Sequence, residues 1–492
     1  MAIPKQLPFV LIVSHALTGH LAPLIRISSA LHARGWEVYF LGPTAHRSRI
    51  EASGASFIPL SPTADLDDKA YYEAPPQPDY ASLHWASRAL IDLREQCIAP
   101  LPAQWLSFVA ALRLLRSRDP ERGVVLVNEA FFYGALPMYL GALDADDDVL
   151  ETTVLGSVCV SVTVPAIRSA ELPPIGYPFA FDGSVAGRAR NAKLWERSWA
   201  RKAEPLTTFL DTMLREAGAR RGVDEIFLSG ANYTAHETIL QLGVPGFEYP
   251  RSDWPPGFKF AGLVQGPPKS SSAAAAKPKD PPFDWWEEIV ANSALDSLPP
   301  SDPRRAQKKK VIVVAQGTVE INPHDLIIPT LEAFACREDV LVVAILGWKD
   351  ASLLTYDSSI KTPANARIAD YLSYDAVLAH ADVWVHNAGF GAVNHGIANG
   401  VPMVVAGEGM DKTENARRVA WSGIGVDLGC SRATSEQVRE GVERVLQDEQ
   451  FTKRIRELQK QSEDIDCFSI VHEELLRIAE TRPGIKQRGL ER

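Results

Sequence analysis

The stretch ADVWVHNAGFGAVNHGIANGVPMVV, residues 381–405, decides the fold of the second half of the chain. A short apolar run leads into a Gly-rich turn, the turn leads into a segment with a helical pattern, and a second apolar run follows. Strands that alternate with helical segments form βαβ units with a parallel sheet. A helix that begins at such a turn directs its backbone N–H groups towards an anion, typically a phosphate. The alternative interpretation of Gly389 and Gly391 is a tight turn without a ligand.

The same alternation of strands and helical segments occurs twice along the chain. In the first half, apolar runs such as PFVLIV and GVVLVN alternate with amphipathic segments, and after residue 310 the runs VIVVAQGT and VLVVAILG restart the pattern. Residues 266–282, GPPKSSSAAAAKPKDPP, separate the halves, and a segment of this composition cannot bury much apolar surface. We therefore predict an α/β protein with two halves joined by an exposed linker.

Composition narrows the classes of function. The chain has 492 residues, of which 46% are hydrophobic and 23% charged, and its formal net charge of −10 is not that of a nucleic-acid-binding protein. Its five cysteines are far apart, which argues against a disulfide framework and against a zinc cluster. No apolar run reaches the roughly 18 residues of a transmembrane helix. We therefore expect a cytoplasmic protein with no nucleic acid partner, no integral membrane segment and no metal site.

The Gly-rich turn differs from the fingerprint of a dinucleotide-binding fold. The segment GFGAVNHG lacks the third glycine at the required spacing, and no suitable acidic residue follows downstream. A nucleotide-dependent oxidoreductase is therefore disfavoured.

Several motifs of the second half resemble the donor-binding signature of the family 1 UDP-glycosyltransferases, and especially that of a fungal and bacterial subgroup. They are GIANGVPMVV at 396–405, the pair Asp411-Lys412, VIVVAQGT at 311–318 and DYLSYDAVLAH at 370–380. The resemblance implies the GT-B fold, in which two Rossmann-like domains with parallel sheets face a cleft. The implied organisation is an acceptor-binding domain, a linker with a short helix, a UDP-sugar-binding domain, and a C-terminal helix and tail packing back towards the first domain, at residues 1–265, 266–309, 310–470 and 471–492.

The resemblance places a UDP-sugar donor on the second domain. It assigns the donor-binding positions to Gln316, Gly317, Thr318, Tyr371, His386, Asn387, Gly389, Phe390, Gly391, Ala392, His395, Asp411 and Lys412. In the family, the aromatic residue stacks on uracil, the Gly-rich turn holds the diphosphate, and the acidic residue of the later pair faces the sugar hydroxyls. The alternative interpretation of Tyr371 is an ordinary surface or core tyrosine.

Four of these positions depart from the family pattern. Asn387 stands where a diphosphate-binding histidine is usual, Ala392 where Ser or Thr contacts phosphate, and His395 where an acid binds ribose. Lys412 replaces the usual Gln, so this position does not identify the sugar. An Asn amide still donates to a phosphate oxygen, with His386 beside it, and a histidine can hydrogen-bond to a ribose hydroxyl.

The stretch SHALTGHLAPLIRI, residues 14–27, lies where a buried strand passes into a helix, and it resembles the start of the family's first domain. The motif Gly-His-x-x-Pro at 19–23 implies that His20 is the catalytic base, with His15 supporting the loop. A neutral imidazole at a helix start suits a general base near pH 7. Glu129 stands where the family has an Asp that pairs with the base. The alternatives are a histidine bonded to backbone and, for Glu129, a cap or a surface carboxylate.

The resemblance predicts an inverting glycosyltransferase that moves a sugar, by default glucose, from a UDP-sugar to a small acceptor. The UDP-sugar is a co-substrate, and no cofactor or metal is expected. Aromatic side chains of the first domain suggest a lipophilic acceptor with a hydroxyl group, such as a phenolic, a polyketide, a sterol or a hydroxylated lipid. They are Tyr71, Tyr72, Trp85, Tyr177, Phe179 and Phe181. The alternatives are an inactive UDP-sugar-binding protein and a sugar-nucleotide epimerase of the same fold.

Overall fold

The computed structural model describes residues 6–74, 79–142, 153–264, 283–317, 322–356 and 359–481. The described residues form two compact units, each built on one parallel sheet covered by helices. The first unit takes its residues from 1–243, 250–264 and 466–492, and the second takes its residues from 244–249 and 265–465. The predicted α/β class is therefore confirmed. Residues 266–282, which we predicted to be an exposed linker, lie outside the described part of the chain.

The first unit contains a seven-stranded sheet of strand order β3-β2-β1-β4-β5-β6-β7. All neighbouring strands pair in parallel. Parallel strands with helices on both faces read as continuous apolar runs, and every residue of the first strand is buried. The strands are β1 Phe9–Val13, β2 Val38–Gly42, β3 Ser56–Pro59, β4 Val124–Glu129, β5 Val154–Ser161, β6 Thr238–Leu242 and β7 Phe258–Gly262.

The helices of the first unit connect these strands. They are α1 Thr18–Ala33, α2 Arg47–Ala52, α3 Asp68–Glu73, α4 Trp85–Asp92, α5 Leu101–Arg118, α6 Leu136–Tyr139, α7 Val185–Lys193, α8 Ala200–Glu216 and α9 Ala231–Thr234. Helix α1 ends in a Schellman motif, in which Gly35 has a φ of 86° and the N–H of Trp36 donates to the carbonyl of Leu31 at 3.1 Å. A π-helical turn, Leu93–Ile98, continues α4.

The second unit contains a six-stranded sheet of strand order β10-β9-β8-β11-β12-β13, again entirely parallel. Its strands are β8 Lys310–Ala315, β9 Val340–Ile345, β10 Ala366–Ala369, β11 Val383–His386, β12 Met403–Val405 and β13 Gly425–Asp427. Its helices are α10 Trp286–Ala294, α11 Ile327–Phe334, α12 Leu353–Tyr356, α13 Tyr374–Leu378, α14 Phe390–Asn399, α15 Lys412–Ser422, α16 Ser435–Gln447 and α17 Glu449–Asp464.

The last described helix, α18 Cys467–Thr481, belongs to the first unit. The indole N–H of Trp36 donates to His472 Nδ1 at 2.8 Å. The buried carboxylate of Glu474 accepts hydrogen bonds from Thr238 at 2.5 Å and from Lys259 at 2.8 Å. These contacts fix the helix to the first sheet. Residues 482–492 of the predicted C-terminal tail lie outside the described part of the chain.

One helical stretch within the described residues bears on the prediction that no segment crosses a membrane. By length and composition alone, residues 85–118 could span a bilayer, but 61% of their most apolar window is buried inside the protein. A helix in the core of a soluble protein can be equally long and apolar, so this stretch is weak support for a membrane span. The absence of a membrane segment and the cytoplasmic location stay predictions.

Candidate active site

Each sheet has one point at which the direction of strand addition reverses. In the first sheet it lies between β1 and β4, and in the second it lies between β8 and β11. The loops that leave two such strands diverge, which opens a crevice beyond their carboxyl ends where ligands bind in α/β proteins. His20 follows β1 and Glu129 ends β4, while Gln316 follows β8 and Asn387 follows β11. The sequence-predicted residues thus gather at both reversal points.

The structure brings the two predicted catalytic side chains together. His20 lies in the first turn of α1, and its Nδ1 is 2.9 Å from Glu129 Oε1. The His20 side chain is 19% exposed, whereas that of Glu129 is completely buried. The ring of Phe131 packs edge-on against the imidazole, with the ring centres 5.3 Å apart. His20 is therefore held by one carboxylate and one aromatic ring, with part of its surface accessible.

Three groups hold the carboxylate of Glu129. Besides His20, the backbone N–H of His15 donates to Oε2 at 3.2 Å and that of Phe131 donates to Oε1 at 3.1 Å. Burial by itself raises the pKa of Glu129, but the neighbouring His20 and the other donors outweigh it, so the pKa lies below its usual value. Glu129 is therefore ionised at neutral pH and can only accept hydrogen bonds.

The ionised carboxylate fixes the tautomer of His20. Because Glu129 cannot donate, the hydrogen of a neutral imidazole must lie on Nδ1, facing Oε1. The lone pair is then on Nε2, at the other side of the ring. An imidazole in this state can accept a proton at Nε2, and the adjacent negative charge stabilises the imidazolium that forms.

His15 is a support for this pair rather than a second base. Its Nδ1 accepts from the N–H of Leu17 at 3.1 Å, so its Nε2–H donates to the carbonyl of Gln96, also at 3.1 Å. Burial, with a contribution from nearby His20, lowers the pKa of His15 to about 4. Gln96 lies in the π-helical turn, and sequence reasoning missed this contact because no pattern in the sequence marks that turn.

Two aromatic residues predicted to line an acceptor site, Tyr71 and Tyr72, contact Asp92 and Gln96, as does Tyr80, which was not predicted. Tyr71 and Tyr80 donate to the two oxygens of Asp92 at 2.9 and 2.6 Å, and Gln96 donates to the hydroxyl of Tyr72 at 3.1 Å. Burial raises the pKa of Asp92. We call Tyr71, Tyr72, Tyr80, Asp92 and Gln96 the phenol cluster. It contacts the histidine that supports the catalytic pair, because the carbonyl of Gln96 accepts from His15.

The other predicted aromatic residues contact neighbours outside the phenol cluster. Trp85 begins α4, and its indole packs against the ring of His84, with the ring centres 5.4 Å apart. Tyr177 hydrogen-bonds to Ser198 at 2.6 Å. Phe179 lies under the guanidinium of Arg190 and is partly exposed. Phe181 is half-buried.

In the second unit, the turn between β11 and α14 forms an uncapped helix N-terminus. Ala388 has a φ of 60°, a left-handed conformation that is uncommon for a residue with a side chain. Within the described chain no side chain caps α14, whose first internal N–H donor is Val393. An added Cβ at Gly391 meets no atom within 4 Å. The turn therefore presents backbone N–H groups and a helix dipole to open space, as an anion site requires.

Two side chains that were predicted to bind phosphate form hydrogen bonds with backbone groups of the protein. The amide of Asn387 donates to the backbone carbonyl of Gln316. The side chain of Gln316 donates to the carbonyl of Asn322 at 2.8 Å and accepts from the N–H of Ile327 at 3.1 Å. The side chain of Asn387 therefore joins the loops after β8 and β11, and that of Gln316 holds the loop between β8 and α11. Thr318 lies outside the described residues.

Two more residues beside this turn differ in their freedom to contact a ligand. Gly317 has a φ of 78°, and no atom of the described residues lies within 4 Å of an added Cβ. His386 is buried, and its Nδ1 accepts from the N–H of Ala388 at 3.1 Å while Nε2 lies 3.4 Å from Met403 Sδ. Burial lowers the pKa of His386 to about 3. This geometry gives His386 a role in holding the turn; its donor contact stays a prediction.

His395 lies on α14, one helical turn beyond Gly391, and is paired with a carboxylate. Its Nδ1 is 2.6 Å from Asp375 Oδ1, and the two side chains are 22% and 21% exposed. Sequence reasoning missed Asp375, because no spacing rule connects a residue on α13 to one on α14. The predicted base-stacking residue, Tyr371, is 62% exposed, and its backbone N–H donates to Asp370 at 2.7 Å.

Asp411 and Lys412 lie at the start of α15, next to the same turn. Asp411 Oδ2 accepts from the amide of Asn415 at 3.0 Å, and that amide also donates to the carbonyl of Ala388 at 2.8 Å. Lys412 is buried beside Gly407, where an added Cβ would lie 3.2 Å from Lys412 Cδ. Asn415 thus fixes the predicted sugar-contacting acid to the predicted phosphate-binding turn. Within the described ranges, no group of three or more His, Cys, Asp or Glu side chains could hold a metal ion.

Comparison with known proteins adds named relatives over nearly the whole chain. A sequence family described as erythromycin biosynthesis protein CIII-like, C-terminal domain, matches residues 342–469. UDP-glucosyltransferase 1 of Beauveria bassiana (strain ARSEF 2860) is 33% identical over 471 residues, which are 94% of this chain and 93% of the relative. UDP-glycosyltransferase 2 of Phaeomoniella chlamydospora is 32% identical over 473 residues, which are 96% of each chain.

Solved structures with the same fold are also found. A crystal structure described as the glycotransferase of kitacinnamycin superposes with a TM-score of 0.64 and covers 96% of this chain and 100% of its own. The two sequences are only 19% identical, so this likeness concerns the fold.

Proposed function

The chain belongs to the UDP-glycosyltransferases, as its sequence motifs predicted, and from this premise we propose that it transfers glucose from UDP-glucose, with inversion, to a hydroxyl of a small lipophilic acceptor. Its two parallel-sheet units have the predicted GT-B fold. It is an enzyme that moves a sugar from a UDP-sugar. The name of the Beauveria bassiana relative, UDP-glucosyltransferase 1, supports glucose as the sugar.

The observation that carries the proposal is the pair formed by His20 and Glu129. The hydroxyl of the acceptor donates its hydrogen to Nε2 of His20, which carries the lone pair because Nδ1–H faces Glu129 at 2.9 Å. As the proton moves to Nε2, the acceptor oxygen bonds to the anomeric carbon of the sugar. The bond from that carbon to the diphosphate oxygen breaks on the opposite side, which inverts the configuration. Glu129 stabilises the imidazolium, because an ionised carboxylate lowers the cost of a nearby positive charge.

The leaving UDP needs stabilisation as its negative charge grows. The uncapped N-terminus of α14 offers the backbone N–H groups of Phe390, Gly391 and Ala392, together with the positive end of the helix dipole. The open space at Gly391 lets a diphosphate approach the backbone closely. These features support the Gly-rich turn as the diphosphate site.

Three residues predicted to bind the donor are arranged in the same order as the diphosphate, the ribose and the base of a nucleoside diphosphate. Gly391 lies in the first turn of α14, and His395 lies one turn, or about 5.4 Å, further along the same face. The ring of His395 packs edge-on against Tyr374, with the ring centres 5.4 Å apart. Tyr371 lies three residues before Tyr374, which begins α13. This order supports diphosphate at Gly391, ribose at His395 and uracil on exposed Tyr371.

The sugar and acceptor sites rest on fewer observations. Asp411, which Asn415 fixes at 3.0 Å, is proposed to accept from a sugar hydroxyl, and Lys412 is proposed to donate to one. The phenol cluster around Asp92 supports an acceptor with apolar surface, because the half-buried rings of Tyr71 and Tyr72 offer aromatic area.

A UDP-release assay tests the proposal. Wild type is incubated with UDP-glucose and a panel of phenolic, polyketide, sterol and hydroxylated lipid acceptors, beside His20→Ala and His32→Ala. His32 lies on the same helix but is exposed, so its variant controls for a change in α1. The proposal expects a glucosylated product with wild type and His32→Ala, and its loss in His20→Ala with UDP binding retained. Product formation that persists in His20→Ala would overturn the assignment of the base.

A further inference from the structure

A second histidine–carboxylate pair, His395 with Asp375, lies on the second unit, and nothing in the mechanism above requires its carboxylate. We propose that Asp375 is a positioning residue, which keeps the hydrogen of His395 on Nδ1 so that Nε2 accepts a hydrogen bond from a ribose hydroxyl of the donor. The site would thereby select ribonucleotide donors over deoxyribonucleotide donors. This inference rests on the proposed binding of UDP-sugar to this unit.

The carboxylate of Asp375 is held in one orientation. Its Oδ1 accepts from His395 Nδ1 at 2.6 Å and from the amide of Asn399 at 2.9 Å. Asn399 donates at the same time to the backbone carbonyl of His395 at 2.8 Å. The carboxylate, the imidazole and the amide therefore form one closed set of contacts between α13 and α14.

The imidazole of His395 is also confined by packing. The ring of Tyr374 stands at 89° to it, with the ring centres 5.4 Å apart. Because His395 is nevertheless 22% exposed, the edge of the ring opposite to Asp375 can reach a ligand. That edge carries Nε2, and no described residue hydrogen-bonds to it.

The chemistry of this edge restricts what it binds. With the hydrogen on Nδ1, Nε2 of a neutral imidazole has a lone pair and accepts hydrogen bonds only. A phosphate oxygen is an acceptor and carries negative charge, so both the lone pair and the carboxylate of Asp375 disfavour it at this point. A hydroxyl group donates, and a ribose hydroxyl is what a nucleoside diphosphate offers one helical turn from its diphosphate. The pair therefore matches ribose better than it matches phosphate.

Dissociation constants test the inference without any need for transfer. Calorimetric titrations with UDP, 2′-deoxy-UDP and 3′-deoxy-UDP are made on wild type and on His395→Ala, Asp375→Ala and Asp375→Asn. Glu332→Ala removes an exposed carboxylate of the same unit and is the matched control. Thermal melting of each variant checks that it is folded.

Wild type and Glu332→Ala are expected to bind UDP about tenfold more tightly than one of the two deoxy analogues, which is the value of one hydrogen bond. His395→Ala and Asp375→Ala are expected to bind UDP and that analogue with affinities within about twofold of each other. Asp375→Asn is expected to keep the preference, because Asn399 holds the amide oxygen, rather than its N–H₂, towards His395.

Three results would overturn the inference: no preference in wild type, an undiminished preference in Asp375→Ala, or a loss of preference in Asp375→Asn as large as in Asp375→Ala. Failure of the proposed function is a different result, since none of the nucleotides would then bind to wild type.

Discussion

In each of the two histidine–carboxylate pairs, Nδ1 of the histidine contacts a carboxylate oxygen, but the surroundings of the pairs differ. His20 contacts Glu129 at 2.9 Å, with exposed fractions of 19% and 0%, and His395 contacts Asp375 at 2.6 Å, with exposed fractions of 22% and 21%. A charge acts more strongly from a buried position than from one that water screens. The buried carboxylate can therefore stabilise a proton that arrives on its histidine, whereas the exposed one mainly fixes a tautomer. The same pair of residue types thus serves proton transfer in one unit and recognition in the other.

The largest effect should come from the histidine that exchanges a proton. We expect His20→Ala to lower kcat by about 10²-fold to 10⁴-fold, the usual contribution of a general base, with the Kd for UDP unchanged. Steady-state kinetics and calorimetry on the same preparation measure both. A variant that binds UDP more weakly but turns over normally would place His20 in the donor site instead.

Removing the buried charge should have the next largest effect. In Glu129→Gln the amide oxygen still accepts from His20, but the negative charge is lost, and we expect kcat to fall about tenfold to a hundredfold. The Glu129→Asp variant retains the charge and should recover part of the loss if the shorter side chain reaches His20. An Asp variant no better than the Gln variant would mean that geometry, rather than charge, dominates.

At the donor site, the open space at Gly391 offers a test of the helix N-terminus. Gly391 has an ordinary φ and no atom within 4 Å of an added Cβ, so Gly391→Ala should fold as well as wild type. The added methyl group occupies the approach of the diphosphate, and we expect the Kd for UDP to rise about tenfold, the value of about one hydrogen bond. Unchanged UDP binding would move the diphosphate away from this turn.

The buried side chain of His386 should affect stability rather than chemistry. The pKa of His386 is about 3 in the folded chain, against a usual value of 6.5, so between these pH values only the unfolded chain takes up the proton. Stability therefore falls as the pH is lowered from 6.5 towards 3. In His386→Gln, Tm at pH 7 should be lower, but the fall in Tm between pH 7 and pH 5 should be about 2–4 °C smaller than in wild type.

Melting curves of both proteins at the two pH values measure this difference. An equal fall in Tm in wild type and His386→Gln would show that His386 can be protonated in the folded state. Its ring would then be more accessible than its buried position indicates.

The sequence was sufficient to predict the fold and to identify residues that the structure brings together in each unit. Apolar runs and Gly-rich turns identify the strand ends, and the reversal of strand order then brings His20 to Glu129 and Gln316 to Asn387. The partners of the site residues were less predictable. Asp375 meets His395 only through the packing of two helices, and the carbonyl of Gln96 reaches His15 only because of a π-helical turn. Such contacts depend on tertiary geometry, which periodicity and motif spacing do not encode.

The most direct test of the account compares two matched variants in one assay. Glu129→Gln and Asp375→Asn each replace a carboxylate by its isosteric amide beside a histidine. Their kcat for transfer from UDP-glucose and their Kd for UDP are measured side by side with wild type. We expect Glu129→Gln to lower kcat about tenfold or more with an unchanged Kd, and Asp375→Asn to leave both within about twofold. Equal losses of kcat in the two variants, or a larger loss in Asp375→Asn, would contradict this expectation.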